Sequence, residues 1–274
     1  ASAPLRSIPT SCRPYASNTI SPDIPECQRN AMQVTQIYLS DNNAEPPALL
    51  QRYIASVRRA FAHLPHVLYG DRDIQALMNE HFDSRVSAAY NKLIPYAYKS
   101  DLARLCIVYV VGGWYFDIGF YCPFPGVQFE PRIKLAAFRE NPRLTHYASW
   151  SVANGLFYAQ AGHPVLRRAI DIITHNCESN YYGYTPFCPT GPNVWGRAIC
   201  EEGVASSTVF GDFIELSPQH EIKNRAMVLP NGQIAGFYKP TSRQGFRQTL
   251  EQMGAIGTND HNALWEQKAI YNAN

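Results

Sequence analysis

Charge is scarce in this chain of 274 residues. Asp, Glu, Lys and Arg together make up 17%, against about 25% in an average globular protein. The 24 basic and 22 acidic residues nearly cancel, leaving a formal charge of +2. No long basic tract occurs; Arg58-Arg59 and Arg167-Arg168 are the densest pairs. Binding a nucleic-acid backbone needs many clustered cations, so no nucleic-acid partner is expected. Long apolar runs are also missing. The longest, Leu105 to Val111, has seven residues, where a membrane span needs about 20. A soluble chain with no transmembrane segment is therefore expected. Ala1-Ser2-Ala3-Pro4 has neither the charged start nor the apolar stretch of a signal peptide, and reads as a processed or engineered end. None of the seven cysteines sits in a CxxC spacing, which argues against structural zinc. Cys12, Cys27, Cys106, Cys122, Cys177, Cys188 and Cys200 read as a reduced cytosolic set. A Cys12–Cys27 bridge is the alternative if the chain is exported. The expected location is cytoplasmic, or at the membrane periphery.

What the chain does have is apolar and aromatic side chains. Hydrophobic residues make up 46%, with 17 Tyr, 13 Phe and 4 Trp, enough for a substantial core. Tyr and Trp pair an apolar body with a polar tip. They suit either that core or a surface that stacks on rings and sugars.

Residues 1–30 are rich in Pro and Ser and read as an irregular lead-in. Residues 31–274 read as one domain, since no internal repeat or linker divides them. Met32 to Ser40 reads as a strand ending at Asp41-Asn42-Asn43. Pro46 to Phe61 reads as a helix with Leu49, Tyr53, Val57 and Ala60 at helical spacing. His66 to Tyr69 reads as a strand and Asp71 to His81 as a helix. Ala97 to Val111 carries a stripe of Leu102, Leu105, Cys106 and Tyr109, and Gly112-Gly113 ends it. Trp114 to Phe116, Ile133 to Phe138, Gly155 to Ala159 and Phe213 to Leu216 read as strands. Pro164 to Cys177 and Pro192 to Glu202 read as helices opened by proline. The tail from Gln233 reads as irregular with a few short elements. This alternation predicts an α/β layered fold with a mainly parallel sheet flanked by helices.

The stretch Tyr98 to Cys122 carries the chemistry. Asp101 and Arg104 are three apart and share a helix face. At the start of an apolar helix they are costly unless paired or bound to something polar. The short strand after the glycines brings Tyr115 and Asp117 out on one side. Ligands of open α/β sheets bind at the carboxyl ends of strands. Asp101, Arg104, Tyr115 and Asp117 therefore converge on one pocket, or else Asp101 and Arg104 form an internal ion pair while Asp117 caps a turn.

The pattern Ser100-Asp101-x-x-Arg104 followed by Gly112-Gly113-x-Tyr115-x-Asp117-x-Gly119 resembles the core signature of glycosyltransferases with an Asp-X-Asp sugar-binding motif. The resemblance is to family 32, the α-mannosyl and capsular polysaccharide transferases, with the catalytic domains of clostridial glucosylating toxins as distant relatives. Thr35-Gln36-Ile37-Tyr38, Asn154-Gly155, Gly162-His163-Pro164, Thr190-Gly191-Pro192 and His261 to Trp265 match further family stretches in order. The resemblance implies a GT-A (Rossmann-related) fold, a nucleotide diphosphate sugar as donor, a carbohydrate acceptor and retention of anomeric configuration. It implies that Asp101, Arg104 and Asp117 are the catalytic set, with Asp101 and Arg104 on the hydroxyls of the donor sugar. Tyr38, Ser100, Gly113, Tyr115 and Gly119 fall in the donor-binding set, Tyr38 stacking on the base. Gly191, Pro192, Asn193 and Trp265 fall on the acceptor side.

One position departs from the pattern. Gly119 stands where the family has its second Asp, the direct metal ligand. Mn2+ or Mg2+ prefers hard oxygen ligands and neutralises charge on a diphosphate leaving group. Three readings remain open: Asp117 with Asp260 or His261 holds the ion, a cation such as Arg104 replaces it, or the chain is inactive as a transferase. Leu264 also stands where the family has Ser before its Trp. His146, His175 and His220 have no metal-ligand spacing, and His163 reads as a turn and helix start. Cys106 and Cys122 flank the motif without a nearby His to activate them. The function expected is hexosyl transfer to a glycan in surface polysaccharide synthesis. The alternatives are a non-catalytic sugar-nucleotide or glycan binding protein, and an effector that glycosylates a protein.

Overall fold

The computed structural model describes residues 32–140, 150–215, 225–238 and 249–273. The Pro/Ser-rich segment 1–30, the Cys12–Cys27 alternative, His146, His220 and Leu216 lie outside them. Among the described residues, nine strands form one sheet in the order β2-β1-β3-β6-β5-β7-β8-β9-β4. These are β1 (Gln33–Ile37), β2 (His66–Tyr69), β3 (Gly113–Phe116), β4 (Phe120–Tyr121), β5 (Leu135–Arg139), β6 (Val152–Ala159), β7 (Thr208–Glu215), β8 (Arg225–Val228) and β9 (Ile234–Tyr238). Seven helices accompany them: α1 (Ala48–Ala60), α2 (Asp71–His81), α3 (Ser84–Lys92), α4 (Tyr96–Val111), α5 (Pro164–Glu178), α6 (Pro192–Glu202) and α7 (His261–Glu266).

The expectation of a mainly parallel sheet is corrected. β1 pairs in parallel with β2 and β3, and β5 with β7. The pairs β3–β6, β5–β6, β7–β8, β8–β9 and β4–β9 are antiparallel. Helices α1 and α4 supply the crossovers that parallel neighbours need. Helices α5 and α6 lie between β6 and β7, which runs parallel to β5, whereas the link from β8 to β9 is a short turn, and short connections favour antiparallel pairing. β4 starts soon after β3 ends yet pairs with β9 at the far end of the order. The sheet therefore curls around Phe116, Phe120, Phe213 and Tyr238, whose rings touch in succession.

Most predicted elements appear within a few residues of their expected ends. α3 was not anticipated; its short sequence SRVSAAYNK is started by Asp83, whose carboxylate accepts from the amides of Arg85 and Val86. β4, of two residues, is too short for a periodicity to reveal, and β8 was not anticipated. His163 caps α5, its Nδ1 accepting from the amide of Val165 at 3.3 Å, and burial pushes its pKa down to about 4. Its structural role matches the turn-and-helix reading.

Helix α4 is central. Leu102, Ala103, Leu105, Cys106, Ile107, Val108 and Val110 are all buried, so it is enclosed on every side rather than along one stripe. Asp101 and Arg104 consequently have no solvent-facing side to escape to. The chain leaves α4 through Gly112 at φ 68° and Gly113 at φ 101°. An ideal Cβ on Gly113 would lie 2.1 Å from the carbonyl oxygen of Gln33. Gly113, expected in the donor-binding set, is thus required for β3 to lie against β1.

Gly113→Ala should lose roughly 3 kcal/mol or more of stability, from strained backbone and steric overlap together. Gly203, at φ 79° with open space around its Cβ position, provides the control. Gly203→Ala should cost about 1 kcal/mol from backbone strain alone. Urea midpoints of the two variants separate the steric part; equal losses would refute the close approach at Gly113.

Candidate functional site

The site is built around one guanidinium. Arg104, only 4% exposed, reaches from α4 towards the carboxyl end of β3. Its Nε donates to the Ser100 carbonyl at 3.0 Å and its Nη1 to the Asn154 carbonyl at 2.7 Å. Its Nη2 lies 3.0 Å from Asp101 Oδ1 and 3.2 Å from Asp117 Oδ1. The Tyr115 ring lies under it at 4.6 Å, and the Tyr115 hydroxyl donates to Asp117 Oδ1 at 2.8 Å. Burial opposes the charge on Arg104, but Asp117, Tyr115 and Asp101 outweigh it and hold the guanidinium charged.

Asp101 is 8% exposed. Burial raises its pKa, while Arg104, Thr190 and Asn154 pull it back towards the ionised form. Asn154 Nδ2 donates to Oδ1 at 2.8 Å and Thr190 Oγ1 donates to Oδ2 at 2.7 Å. Asp101 and Arg104 therefore do form an internal ion pair, and that pair is also part of the convergence with Tyr115 and Asp117.

Asp117 follows β3, and its side chain keeps 24% of its surface open. Its amide donates to the Gly155 carbonyl at 2.7 Å, and its carbonyl accepts from Gln36 Nε2 at 3.4 Å. Gln36 Oε1 pairs with His66 Nε2 at 2.9 Å. Burial, aided by Arg58, pushes the His66 pKa down to about 4, so the ring is neutral at neutral pH and donates from Nε2. Beside Asp117, an ideal Cβ on Gly155 would lie 2.6 Å from Oδ2.

The other expected residues are less closely gathered. Ser100 contributes its carbonyl. Gly119 lies in the turn before β4 without a positive φ. Gly191 precedes α6, its Cβ position 3.7 Å from Asp101 Oδ2. Pro192 opens α6, and Asn193 Nδ2 donates to Cys188 Sγ at 3.3 Å. Tyr38, expected to stack on a base, is 8% exposed and shares an apolar cluster with Leu50, Tyr53, Ile54, Ile118, Met253 and Ala255. Little of its ring is open to a ligand, because the C-terminal segment supplies part of that cluster. Trp265 Nε1 donates to the Tyr182 carbonyl at 2.9 Å, and its ring packs on Lys268.

Asp260 spends its carboxylate on the amides of Asn262 and Ala263 at the start of α7. His261 packs its ring 5.9 Å from that of Tyr98. Among the described residues, no three His, Cys, Asp or Glu side chains come together as a metal site. Asp117 Oδ1 is already taken by Tyr115 and Arg104. A divalent ion of this type takes about six oxygen ligands. The residues present do not fit a centre built by the protein alone.

Asn154, Thr190 and Gln36 were not singled out as site residues, although each lies in a stretch that matches the family pattern. The signal was a polar side chain beside a glycine, Asn154-Gly155 and Thr190-Gly191, where backbone can approach closely.

Residues 47–124 match the family model described as "Glycosyltransferase sugar-binding region containing DXD motif". Over that stretch, which includes Asp101, Arg104, Tyr115 and Asp117, the chain resembles glycosyltransferases. Asn154, Thr190 and α7 lie outside it. Among solved structures the chain is similar to one titled "PaToxG Glycosyltransferase", with 16% identity and a TM-score of 0.46, over 62% of this chain and 69% of that one. No curated protein matches the chain.

Gly155→Ala should push the Asp117 carboxylate off Arg104 and lower stability by about 1–3 kcal/mol, the cost of a buried charged group losing a hydrogen-bond partner. In an Asp117→Ala background the same substitution should cost little, since the carboxylate it meets is gone. Urea unfolding of the four proteins checks this, and an undiminished cost in the second background would show that the close approach is not the cause.

Proposed function

We propose that residues 31–274 form one catalytic unit that moves a hexose from a nucleotide diphosphate sugar to a glycan, retaining configuration, in surface polysaccharide synthesis. The observation that carries this reading is the buried Asp101–Arg104–Asp117 cluster at the carboxyl end of β3, inside the stretch that matches a sugar-binding glycosyltransferase region.

An ionised carboxylate has about four acceptor directions. On Asp101, Arg104 and Asn154 take two at Oδ1, and Thr190 takes one at Oδ2. The direction left at Oδ2 serves a donor hydroxyl. Arg104 is rigid in this setting, so a sugar meets preorganised partners. In the transfer, the bond from the anomeric carbon to the diphosphate breaks and a bond to the acceptor oxygen forms on the same face. The acceptor's proton passes to a diphosphate oxygen. Gly191, Pro192, Asn193 and Trp265 belong to the acceptor side of this reading.

Two carboxylates against one guanidinium leave the cluster with a net negative charge. A diphosphate approaching it needs a cation, and the described residues build no site for one. A divalent ion is therefore expected to bind together with the nucleotide and only poorly without it. Among the described residues no helix is long and apolar enough to cross a membrane.

Gly119 favours a second reading, a sugar-nucleotide binding protein without catalysis. Release of free sugar from a panel of nucleotide sugars separates the two: a transferase leaks sugar to water and a binding module does not. Asp101→Asn should reduce that release at least tenfold while the protein stays folded. Asp101→Ala is a poorer probe, since it removes the acceptor of Arg104, Asn154 and Thr190 together and should cost about 1–3 kcal/mol for the buried donors left unpaired. Calorimetric titration of Mn2+ should show weak binding to the protein alone and tighter binding with a nucleotide diphosphate. Full sugar release by Asp101→Asn would overturn the proposed role of that carboxylate.

A further inference from the structure

Thr190 stands 89 positions after Asp101 in the chain, yet its hydroxyl is 2.7 Å from Oδ2. It is 1% exposed, and the hydroxyl is the partner on that carboxylate oxygen. The loop that carries it is braced at several points. Asn176 Nδ2 donates to the Pro189 carbonyl at 2.9 Å. The Tyr98 hydroxyl donates to the Pro186 carbonyl at 2.6 Å. Thr185 Oγ1 accepts from the Phe187 amide and lies 3.4 Å from Cys188 Sγ, which also accepts from Asn193. A surface turn needs no such bracing. These contacts fix where the Thr190 side chain points.

We propose that Thr190 is a positioning residue of the site, its hydroxyl locking the Asp101 carboxylate in the one orientation that leaves a single acceptor direction at Oδ2 for the donor sugar. This rests on the reading of the cluster as a donor-sugar pocket. The groups that face Asp101 are Arg104 and Tyr98 from α4, Asp117 and Tyr115 from β3 and the turn after it, Asn154 from β6, and Thr190 with Gly191 from the loop before α6. Arg104, Thr190 and Asn154 favour the ionised carboxylate, while burial and Asp117 oppose it. Removing the Thr190 hydroxyl takes away one of the three supports and frees the carboxylate to turn about its bond to Cβ.

Thr190→Val keeps the shape and removes the donor; Thr190→Ser keeps the donor. Titration of the Asp101 carboxyl carbon by NMR, identified by its absence in Asp101→Asn, should show a midpoint raised by about one unit or more in Thr190→Val. It should return to the wild-type position in Thr190→Ser. The acid limb of donor-sugar hydrolysis should move in parallel. If Thr190→Val does not fold, Thr190→Ala removes the same hydroxyl without placing a methyl group against the carboxylate and should give the same shift. An unmoved Asp101 titration in Thr190→Val or Thr190→Ala, or a failure of Thr190→Ser to restore it, overturns the proposal. Should the titration move while the wild type hydrolyses and binds no nucleotide sugar, the role of Thr190 stands and the transferase reading falls.

Discussion

A single desolvated guanidinium organises this protein. Taking Arg104 out of water costs several kcal/mol unless nearly every N–H finds an acceptor, and here the partners come from three places: Ser100 and Asp101 one turn earlier on α4, Asp117 after β3, and Asn154 on β6. The Tyr115 ring completes the enclosure. Each partner is useful only where the others hold it. A shift of α4 along the sheet by even one residue would take the guanidinium away from Asp117 and the Asn154 carbonyl while Ser100 and Asp101 moved with it, so the register of α4 against β3 and β6 is tied to this one side chain. The glycines around it follow from the same demand. Gly155 lets the Asp117 carboxylate lie against β6, and Gly113 lets β3 approach β1.

The arrangement separates the group that is rigid from the surface that is open. Asp101 and Arg104 are nearly sealed, whereas Asp117 keeps part of its carboxylate accessible. The open part of the cluster is thus the Asp117 side. Charge bears on the same point. The cluster is net negative as it stands, which suits sugar hydroxyls and disfavours a bare diphosphate. On the transferase reading proposed above, the described side chains supply the sugar contacts and a cation bound with the nucleotide supplies the charge neutralisation.

Around this centre the later part of the chain acts as a brace. Asn259 accepts from the Tyr96 amide and donates to the Ile94 carbonyl at the start of α4. His261 packs on Tyr98, and Trp265, Lys268 and Tyr271 fasten the C-terminal segment to the loop before α6. That loop in turn carries Thr190 to Asp101. The two segments are linked to each other as well as to α4, so the acceptor-side residues named from the sequence and the Asp101 carboxylate share one scaffold.

By itself the sequence determined most of the elements and the central motif. Helical spacing around Leu102, Leu105 and Cys106, the prolines opening α5 and α6, and the glycines closing α4 are local signals, because the hydrogen bonds behind them lie within a few residues. The spacing of Asp101, Arg104, Tyr115 and Asp117 was legible for the same reason: one helix turn and one strand alternation put them on a common side. Tertiary structure alone decided the rest. The sheet is mixed because β6 runs between β3 and β5 against both, a choice of partner that no strand's own pattern contains. Asn154 and Thr190 join the site through contacts spanning 53 and 89 positions, and Tyr38 is covered by a segment more than 200 residues later. Such contacts depend on which surfaces meet when the chain closes on itself, and the residues that make them look locally like ordinary turns and strand ends.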